Sequence, residues 1–227
     1  MKSFELGARA ALRSQLRIEG ALPLLVGSFL CAASAWLERN IDSSHGVDRA
    51  LTRYSFGLWL PLTAYLIWQR ASGSGRLESL IQGVARHAGN RRRALAGASL
   101  VLGGILALHG LCFASVTVLT AHPSGRSGFA SDLLVSGWVG ALAGLAYAAW
   151  LTVASGFGNR GRRGGLLILD LLFGSTIGVW ALPFPRAHVR NLLGGVPPVG
   201  LAQAASSAFL IGLTLLALTI ALLRAPD

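Results

Sequence analysis

Lysine and acidic side chains are scarce in this sequence of 227 residues. Lys2 is the one lysine, nine residues are acidic, and charged residues make up 13% of the chain, about half the usual share in soluble domains. A P-loop requires a lysine in the pattern G-x-x-x-x-G-K-[ST], which Lys2 does not satisfy. A function driven by ATP would therefore need a second polypeptide that hydrolyses it.

Cysteine is equally rare. Cys31 and Cys112 both fall inside apolar stretches, where cysteine is commonly a small buried hydrophobe, so we expect no disulfide. His109 is alone in its stretch, without a second His, Asp or Glu at metal-ligand spacing, and we interpret it as a core histidine. We predict no metal and no cofactor held by this chain.

Apolar residues, in contrast, make up 53% of the chain and collect in six long stretches. The stretches cover residues 20–37, 54–68, 94–120, 132–157, 164–182 and 200–223. About 20 helical residues cross a hydrocarbon core about 30 Å thick, and residues 47–53 can extend the short second stretch. We therefore predict an all-α, polytopic membrane protein with six transmembrane helices in a single domain, residues 1–227.

The arginines indicate the orientation of these spans. In a soluble protein the net charge of +11 would suggest nucleic acid, but here cations flank apolar spans, so membrane lipid accounts for them and we predict no nucleic-acid partner. Most of the 20 basic residues fall on one predicted side; the minority are Arg39, Arg49, Arg53, Arg126, Arg186 and Arg190. The positive-inside rule then predicts a cell (inner) membrane protein with both termini cytoplasmic.

Two segments outside the spans carry apolar patterns. Within residues 1–19 an apolar residue recurs every four positions, at Phe4, Ala8, Leu12 and Leu16. With arginines beside it, this stripe predicts a helix lying in the membrane interface. Residues 186–200, between spans five and six, are apolar but interrupted by proline and glycine, which predicts a broken segment that dips into the outer leaflet.

The apolar pattern of residues 76–89, between spans two and three, predicts a cytoplasmic amphipathic helix. Its apolar stripe contains Leu77, Leu80, Ile81 and Val84, and Glu78 and Arg86 lie off the stripe. Such a short helix cannot cross the bilayer, so another surface has to cover its apolar face. Two alternatives are open: the face lies on lipid or on the protein's own bundle, or it docks into a soluble partner.

Asp170 is the one acidic residue well inside a predicted span, and carboxylates in that position are candidates for function. It follows Arg163 by seven residues, so we interpret it as a structural pair near the cytoplasmic interface rather than as a proton carrier. Asp170 and His109 are the two candidates for an intramembrane polar site.

One motif suggests an enzyme. The G-R-S-G at residues 125–128 fits the G-x-S-G of rhomboid intramembrane serine proteases and precedes the fourth predicted span. The sixth predicted span has no histidine to act as the base, and a serine without a base is not an activated nucleophile. We interpret the motif as a turn and predict no catalytic residues.

The layout of these spans and segments resembles the type-2 ABC exporter permeases. The coupling helix of that family begins with G-x-L-E-x-L, to which residues 75–80, G-R-L-E-S-L, are similar. The entry to span five, R-R-G-G-L-L at residues 162–167, is similar to the heme-exporter permease of cytochrome c maturation.

The resemblance implies a membrane pathway built from two copies of this chain, or from this chain and a related permease chain. A cytoplasmic ATPase subunit would bind beneath the pathway and use ATP. The candidate coupling residues are Leu77, Glu78, Leu80, Ile81, Val84 and Arg86. The alternative from another class is a non-transporting membrane scaffold or assembly protein.

The predicted topology is tested with reporter fusions. We expect a reporter at Asp227 to be active in the cytoplasm and a reporter inserted in residues 42–46 to be active outside it, because most arginines lie on the side of the termini. Paired phosphatase and fluorescent reporters measure both positions. Cytoplasmic activity of the reporter in residues 42–46 would contradict the topology.

Overall fold

The computed structural model describes residues 2–16, 18–42, 44–73, 77–123, 127–156 and 163–224, and in these ranges the chain is helical without a β-strand. The α-helices are α1 (Lys2–Gln15), α2 (Ile18–Ile41), α3 (Gly46–Arg49), α4 (Leu60–Ser72), α5 (Arg91–Ala121), α6 (Phe129–Ser155), α7 (Arg163–Phe173), α8 (Pro185–Leu192) and α9 (Gln203–Arg224). A π-helix, Ala50–Trp59, joins α3 to α4, and 3₁₀ helices cover Leu77–Ile81, Val179–Ala181 and Pro198–Gly200. The predicted all-α class is confirmed for these residues.

Three of the described helices are long and apolar enough to cross a membrane. They are Gly20–Ile41, Arg91–Ala121 and Phe129–Ser155, which correspond to the first, third and fourth predicted spans. The second predicted span falls on the π-helix and α4, and the sixth falls on α9. The chain is thus a membrane protein by its three long apolar helices, and the arrangement of six spans stays a prediction.

The fifth predicted span, residues 164–182, is not one continuous helix. α7 ends at Phe173, and Gly174 and Ser175 follow it in a turn. Glycine and serine are weak helix formers, while the residues after them are apolar enough to prolong the hydropathy signal. Hydropathy therefore placed the end of this helix nine residues too late, at residue 182 instead of Phe173.

The centre of the fold is the antiparallel pair α5 and α6. Gly110 and Gly140 face one another where the helices cross, and a Cβ atom on either would lie 1.9 Å or 2.3 Å from the carbonyl oxygen of the other. Further along, a Cβ on Gly144 would lie 2.1 Å from the carbonyl oxygen of Leu106. Small residues let membrane helices approach closely, and here they bring the two backbones into direct contact.

α2 runs parallel to α5 on the side of this pair. Gly27 of α2 lies against the ring of Phe113, and the Arg39 guanidinium donates to the carbonyl oxygen of Thr120 at 3.2 Å. Both contacts advance in the same direction along the two helices. A first and a third span of a membrane protein run in the same direction, and the order of six spans stays a prediction.

α1 buries its small residues and leaves its large apolar ones exposed. Gly7 and Ala11 are buried, and a Cβ on Gly7 would lie 1.9 Å from the carbonyl oxygen of Ala94 at the start of α5. The exposed apolar residues are Phe4, Leu12 and Leu16. One side of α1 is therefore attached to the bundle, and the predicted apolar stripe is free to contact lipid.

The turn after α2 is closed by Asp42. Its carboxylate accepts hydrogen bonds from the N–H and hydroxyl of Ser44, at 3.0 Å and 2.5 Å, and from the Arg49 guanidinium at 2.7 Å. These donors, the Ser44 hydroxyl first, hold the pKa of Asp42 well below its ordinary value, so the carboxylate stays ionised at neutral pH. Asp42 and Arg49 thus make the connection from α2 to α3 charged, which favours contact with water over lipid.

The close approach of α5 and α6 gives a matched pair of substitutions. We expect Gly110→Ala to lower stability by about 1–3 kcal/mol or more, because the added methyl group would overlap the backbone of α6. Gly104→Ala on the same helix meets no atom within 4 Å and should be neutral or stabilising. Thermal denaturation of the detergent-purified variants measures the difference, and equal melting of the two would contradict the packing.

Candidate functional site

Asp170 lies where α6, α7 and α8 meet, and it is 0% exposed. The Tyr147 hydroxyl donates to Oδ2 of Asp170 at 2.9 Å, and the backbone N–H of Arg186 donates to Oδ1 at 3.2 Å. The second contact gives an acceptor to the first turn of α8, whose N–H groups have no partner within that helix. The carboxylate therefore attaches the start of α8 to α6 and α7.

Two arginines of α8 extend this junction to the end of α7. Nη1 of Arg186 donates to the carbonyl oxygen of Leu171 at 2.9 Å. Arg190 donates to the carbonyl oxygens of Ser175 and, at 2.8 Å, of Thr176. Carbonyls at a helix C-terminus lack partners within the helix, and the helix dipole favours cations there. The Arg186 guanidinium therefore stabilises the C-terminal end of α7, and the Arg190 guanidinium binds the residues that follow it.

Arg163, the expected neighbour of Asp170, is directed to a different helix. Its guanidinium donates to the carbonyl oxygens of Trp68, at 3.1 Å, and Gly73, at 2.6 Å, and to the Ser72 hydroxyl. These groups lie at the C-terminal end of α4, which Arg163 caps. The partners that Asp170 finds on α6 and α8 are distant in sequence, so their identity required the fold.

A second polar group attaches α8 to α9. Nε2 of His188 donates to the carbonyl oxygen of Leu182 at 2.8 Å, which leaves Nδ1 to accept from the Ser206 hydroxyl at 3.0 Å. The amide of Asn191 donates to the same Ser206 oxygen at 2.9 Å. The ring of Phe209 stacks on His188, with 3.9 Å between ring centroids. The donors and acceptors of this network match one another, as buried polar groups require.

Ser206 and His188 are residue types that can form a catalytic nucleophile and its general base. Both side chains are 0% exposed. The Ser206 hydroxyl donates to Nδ1 of His188 and accepts from the Asn191 amide. A substrate could reach this serine only if α8 separated from α9. In this structure the hydrogen bonds of Ser206 attach α9 to α8.

His109, the other candidate for an intramembrane polar site, has separate surroundings. Its Nδ1 donates to the carbonyl oxygen of Ile105 at 2.7 Å, and its ring meets Phe113 edge-on at 6.2 Å. Its hydrogen bond is local to α5, whereas Asp170 bonds to α6 and α8. Among the described residues, no group of three His, Cys, Asp or Glu side chains could hold a metal ion.

The sequence did not predict the roles of Tyr147, His188, Asn191 and Ser206. A signal existed for two of them: Pro185 at the first position of α8 puts His188 and Asn191, three residues apart, on one face of a short helix. No signal marked Ser206 or Tyr147, because a single polar residue in an apolar helix is common.

The segment that was predicted to be cytoplasmic differs from the regular helix expected for residues 76–89. It forms a 3₁₀ helix, Leu77–Ile81, followed by hydrogen-bonded turns; residue 76 lies outside the described residues. A 3₁₀ helix aligns residues three apart, so Leu77 and Leu80 share one side. Leu77, Leu80 and Ile81 are buried in the main core and Val84 packs against it, while Glu78 and Arg86 are exposed. Of the two alternatives, the protein's own bundle covers the apolar stripe.

Hydrogen bonds hold this segment at both ends. The Ser79 hydroxyl donates to the carbonyl oxygen of Ser72 at 2.7 Å, next to the end of α4. At the other end, the side chain of Asn90 caps α5 by accepting from the N–H of Arg93 at 2.9 Å. The backbone N–H of Asn90 donates to the Ser3 hydroxyl at 3.2 Å. The segment is thus fixed to α1, α4 and α5.

The protease-like motif lies before α6. Ser127 is exposed, and Gly128 has a φ of 95°, a left-handed conformation that glycine adopts without strain. Residues 125 and 126 of the motif lie outside the described residues. α9, which contains the sixth predicted span, has no histidine in its sequence.

No family model, no curated protein and no solved structure matches this chain. The class that the described residues define is an all-α membrane protein, with a buried polar junction around α8 and a segment, residues 77–89, that is fixed to three helices.

Asp170 is tested by two substitutions of similar size. We expect Asp170→Asn to be tolerated, because the amide keeps an acceptor for the N–H of Arg186 and can donate to the Tyr147 hydroxyl. Asp170→Leu leaves both donors buried without a partner, at a cost of about 1–3 kcal/mol each. Thermal denaturation in detergent measures the difference, with the exposed Asp48→Asn as control. Equal melting of the two Asp170 variants would show that the carboxylate does not hold α8.

Proposed function

We propose that this chain is the membrane-spanning permease subunit of an ATP-driven exporter that works with a separate cytoplasmic ATPase subunit. The observation that carries the proposal is the two-sided segment of residues 77–89. One side is packed into the membrane bundle, and the other is exposed and polar. A coupling element between a soluble motor and membrane helices needs both sides.

The packed side supports the transmission of motion. Leu77, Leu80 and Ile81 are 4%, 6% and 2% exposed, and the segment contacts α1, α4 and α5. Packed interiors are stiff, so displacement of the segment would be passed to these helices rather than absorbed. α5 in turn is in backbone contact with α6, which links the segment to the centre of the bundle.

The exposed side supports the binding of a soluble partner. Its exposed polar residues are Glu78, Gln82, Arg86 and His87. Both signs of charge are present, and complementary charges across an interface give specificity and fix its register. The side chains that anchor the segment and those that would bind the ATPase are therefore different residues.

A second chain is part of the proposal. α7 and the turn after it carry large apolar side chains that are more than half exposed: Ile168, Leu172, Ile177, Val179 and Trp180. Apolar surface of this kind is covered by lipid or by another chain. The pathway is proposed to form between this chain and a second copy or a related permease chain.

The proposal predicts that charge reversal on the exposed side uncouples the ATPase. We expect Glu78→Arg and Arg86→Glu to leave folding intact but to lower recovery of the ATPase by about tenfold, which corresponds to about 1.4 kcal/mol. Co-purification after gentle extraction and the stimulation of ATP turnover are the two measurements. Arg53→Glu, an exposed arginine on the predicted opposite side, is the matched control.

Substitutions of the buried stripe do not serve this test. Leu80→Asp would place a charge inside the bundle and destabilise the fold directly, so loss of the ATPase would have two explanations. If neither charge reversal weakens the association, or if no ATPase co-purifies with the unaltered protein, the scaffold function replaces the permease.

A further inference from the structure

A small cavity of about 30 Å³ lies between α5, α6 and α9. Small and apolar residues make up most of its described lining, which contains no charged side chain. Its polar residues are three that carry a hydroxyl: Ser99 of α5, Thr152 of α6 and Thr214 of α9. One water molecule takes up about 30 Å³ in the liquid, whereas sites for small organic molecules have about 300–1,000 Å³. The cavity therefore has the size of a water site.

The register of the α5–α6 pair brings two of these hydroxyl residues to the same level. A Cβ atom on Gly103 of α5 would lie 4.0 Å from the Cβ of Ala148 on α6. The two helices are antiparallel, so one turn towards the start of α5 corresponds to one turn towards the end of α6. That turn pairs Ser99 with Thr152. Both residues line the cavity, and Thr214 completes its polar lining from α9.

The hydroxyl of Ser99 is buried without a protein partner. Ser99 is 5% exposed, and its oxygen has no hydrogen-bond partner among the residues that the structure describes. A serine inside a helix often donates to the carbonyl oxygen four residues earlier, as Ser115 of the same helix does to that of Leu111 at 2.9 Å. Ser99 makes no such bond. An unpaired hydroxyl inside an apolar bundle is unfavourable, so this group points to a bound polar molecule.

The two threonines supply acceptors. The Thr152 hydroxyl donates to the carbonyl oxygen of Ala148 at 2.8 Å, and the Thr214 hydroxyl donates to that of Leu210 at 2.9 Å. The hydrogen of each hydroxyl is thus used within its own helix, while the lone pairs of the oxygen can still accept. Ser99, in contrast, has a hydrogen to donate. A molecule with two donors and one acceptor would satisfy all three side chains.

We propose that this cavity binds one water molecule that bridges α5, α6 and α9. The water accepts from the Ser99 hydroxyl and donates one hydrogen to the oxygen of Thr152 and the other to the oxygen of Thr214. About three hydrogen bonds are usual for a buried water. A hard cation would need about six or more oxygen ligands, so three neutral hydroxyls do not suit it.

The water gives α9 a second polar attachment. Ser206 bonds to α8 near the start of α9, and Thr214 lies about 12 Å further along the same helix at 1.5 Å per residue. At that level the bridge attaches α9 to the α5–α6 pair through a molecule that can exchange. The site is independent of the proposed ATPase and holds for a permease and a scaffold alike.

An experimental structure of the unaltered protein, at a resolution that shows ordered waters, tests the site directly. We expect a water peak within about 3.2 Å of the Ser99 oxygen and of at least one of the two threonine oxygens. The absence of such a peak would overturn the proposal, and so would the density of an acyl chain in its place.

Ser99→Ala tests the bridge by the sign of its effect on stability. With the water bound, the substitution removes one of its three partners and should lower the melting temperature by about 2–4 °C. Without the water, it removes an unpaired buried hydroxyl, so an unchanged or higher melting temperature would contradict the proposal. Thermal denaturation in detergent measures the shift. Ser115→Ala on the same helix is the control and should change it little, because that hydroxyl bonds within α5.

A double substitution separates the bridge from a purely local effect. Ser99 and Thr214 share the water, so either substitution alone weakens it, and Ser99→Ala with Thr214→Val should cost less than the sum of the two single shifts. Thr219→Val is the matched control on α9, where the hydroxyl donates to the carbonyl oxygen of Leu215, and its shift should add fully to that of Ser99→Ala. Full additivity of Ser99→Ala and Thr214→Val would refute the shared water.

Discussion

The direct backbone contact between α5 and α6 is the constraint on which the rest of the structure depends. Because Gly110 and Gly140 lack side chains, the two helices meet at their carbonyl oxygens, and this fixes their crossing and their register. α1 and α2 then pack on α5, and α8 and α9 pack on α6. A wider spacing between α5 and α6 would displace both groups of helices in opposite directions.

Around this pair, polar groups decide where the shorter helices begin and end. An apolar environment offers no water to unpaired backbone groups, so each helix end needs a partner from the protein. Asp170 supplies it at the start of α8, Arg186 near the end of α7, and Arg163 at the end of α4. Such residues resemble isolated functional charges in a sequence, yet each has a structural task as the partner of a helix terminus.

Composition and periodicity were sufficient for the fold class and for the long helices. The apolar stretches that match α2, α5 and α6 were visible because their hydropathy extends over about one bilayer thickness or more. The end of α7 was missed because apolar residues follow Gly174, Ser175 and Thr176 without continuing the α-helix. For the segment of residues 77–89, the stripe was visible but what covers it was not, since periodicity identifies a buried face and not its partner.

The sequence by itself determined that this is an all-α membrane protein, that it has no P-loop, and which face of residues 77–89 is apolar. Only the tertiary structure decided that Leu80 packs into the bundle, that Asp170 bonds to Tyr147 and the start of α8, and that His188 meets Ser206. The physical reason is the range of the interactions. Hydropathy is a property of neighbouring residues, whereas a hydrogen bond between helices depends on how distant parts of the chain are packed together.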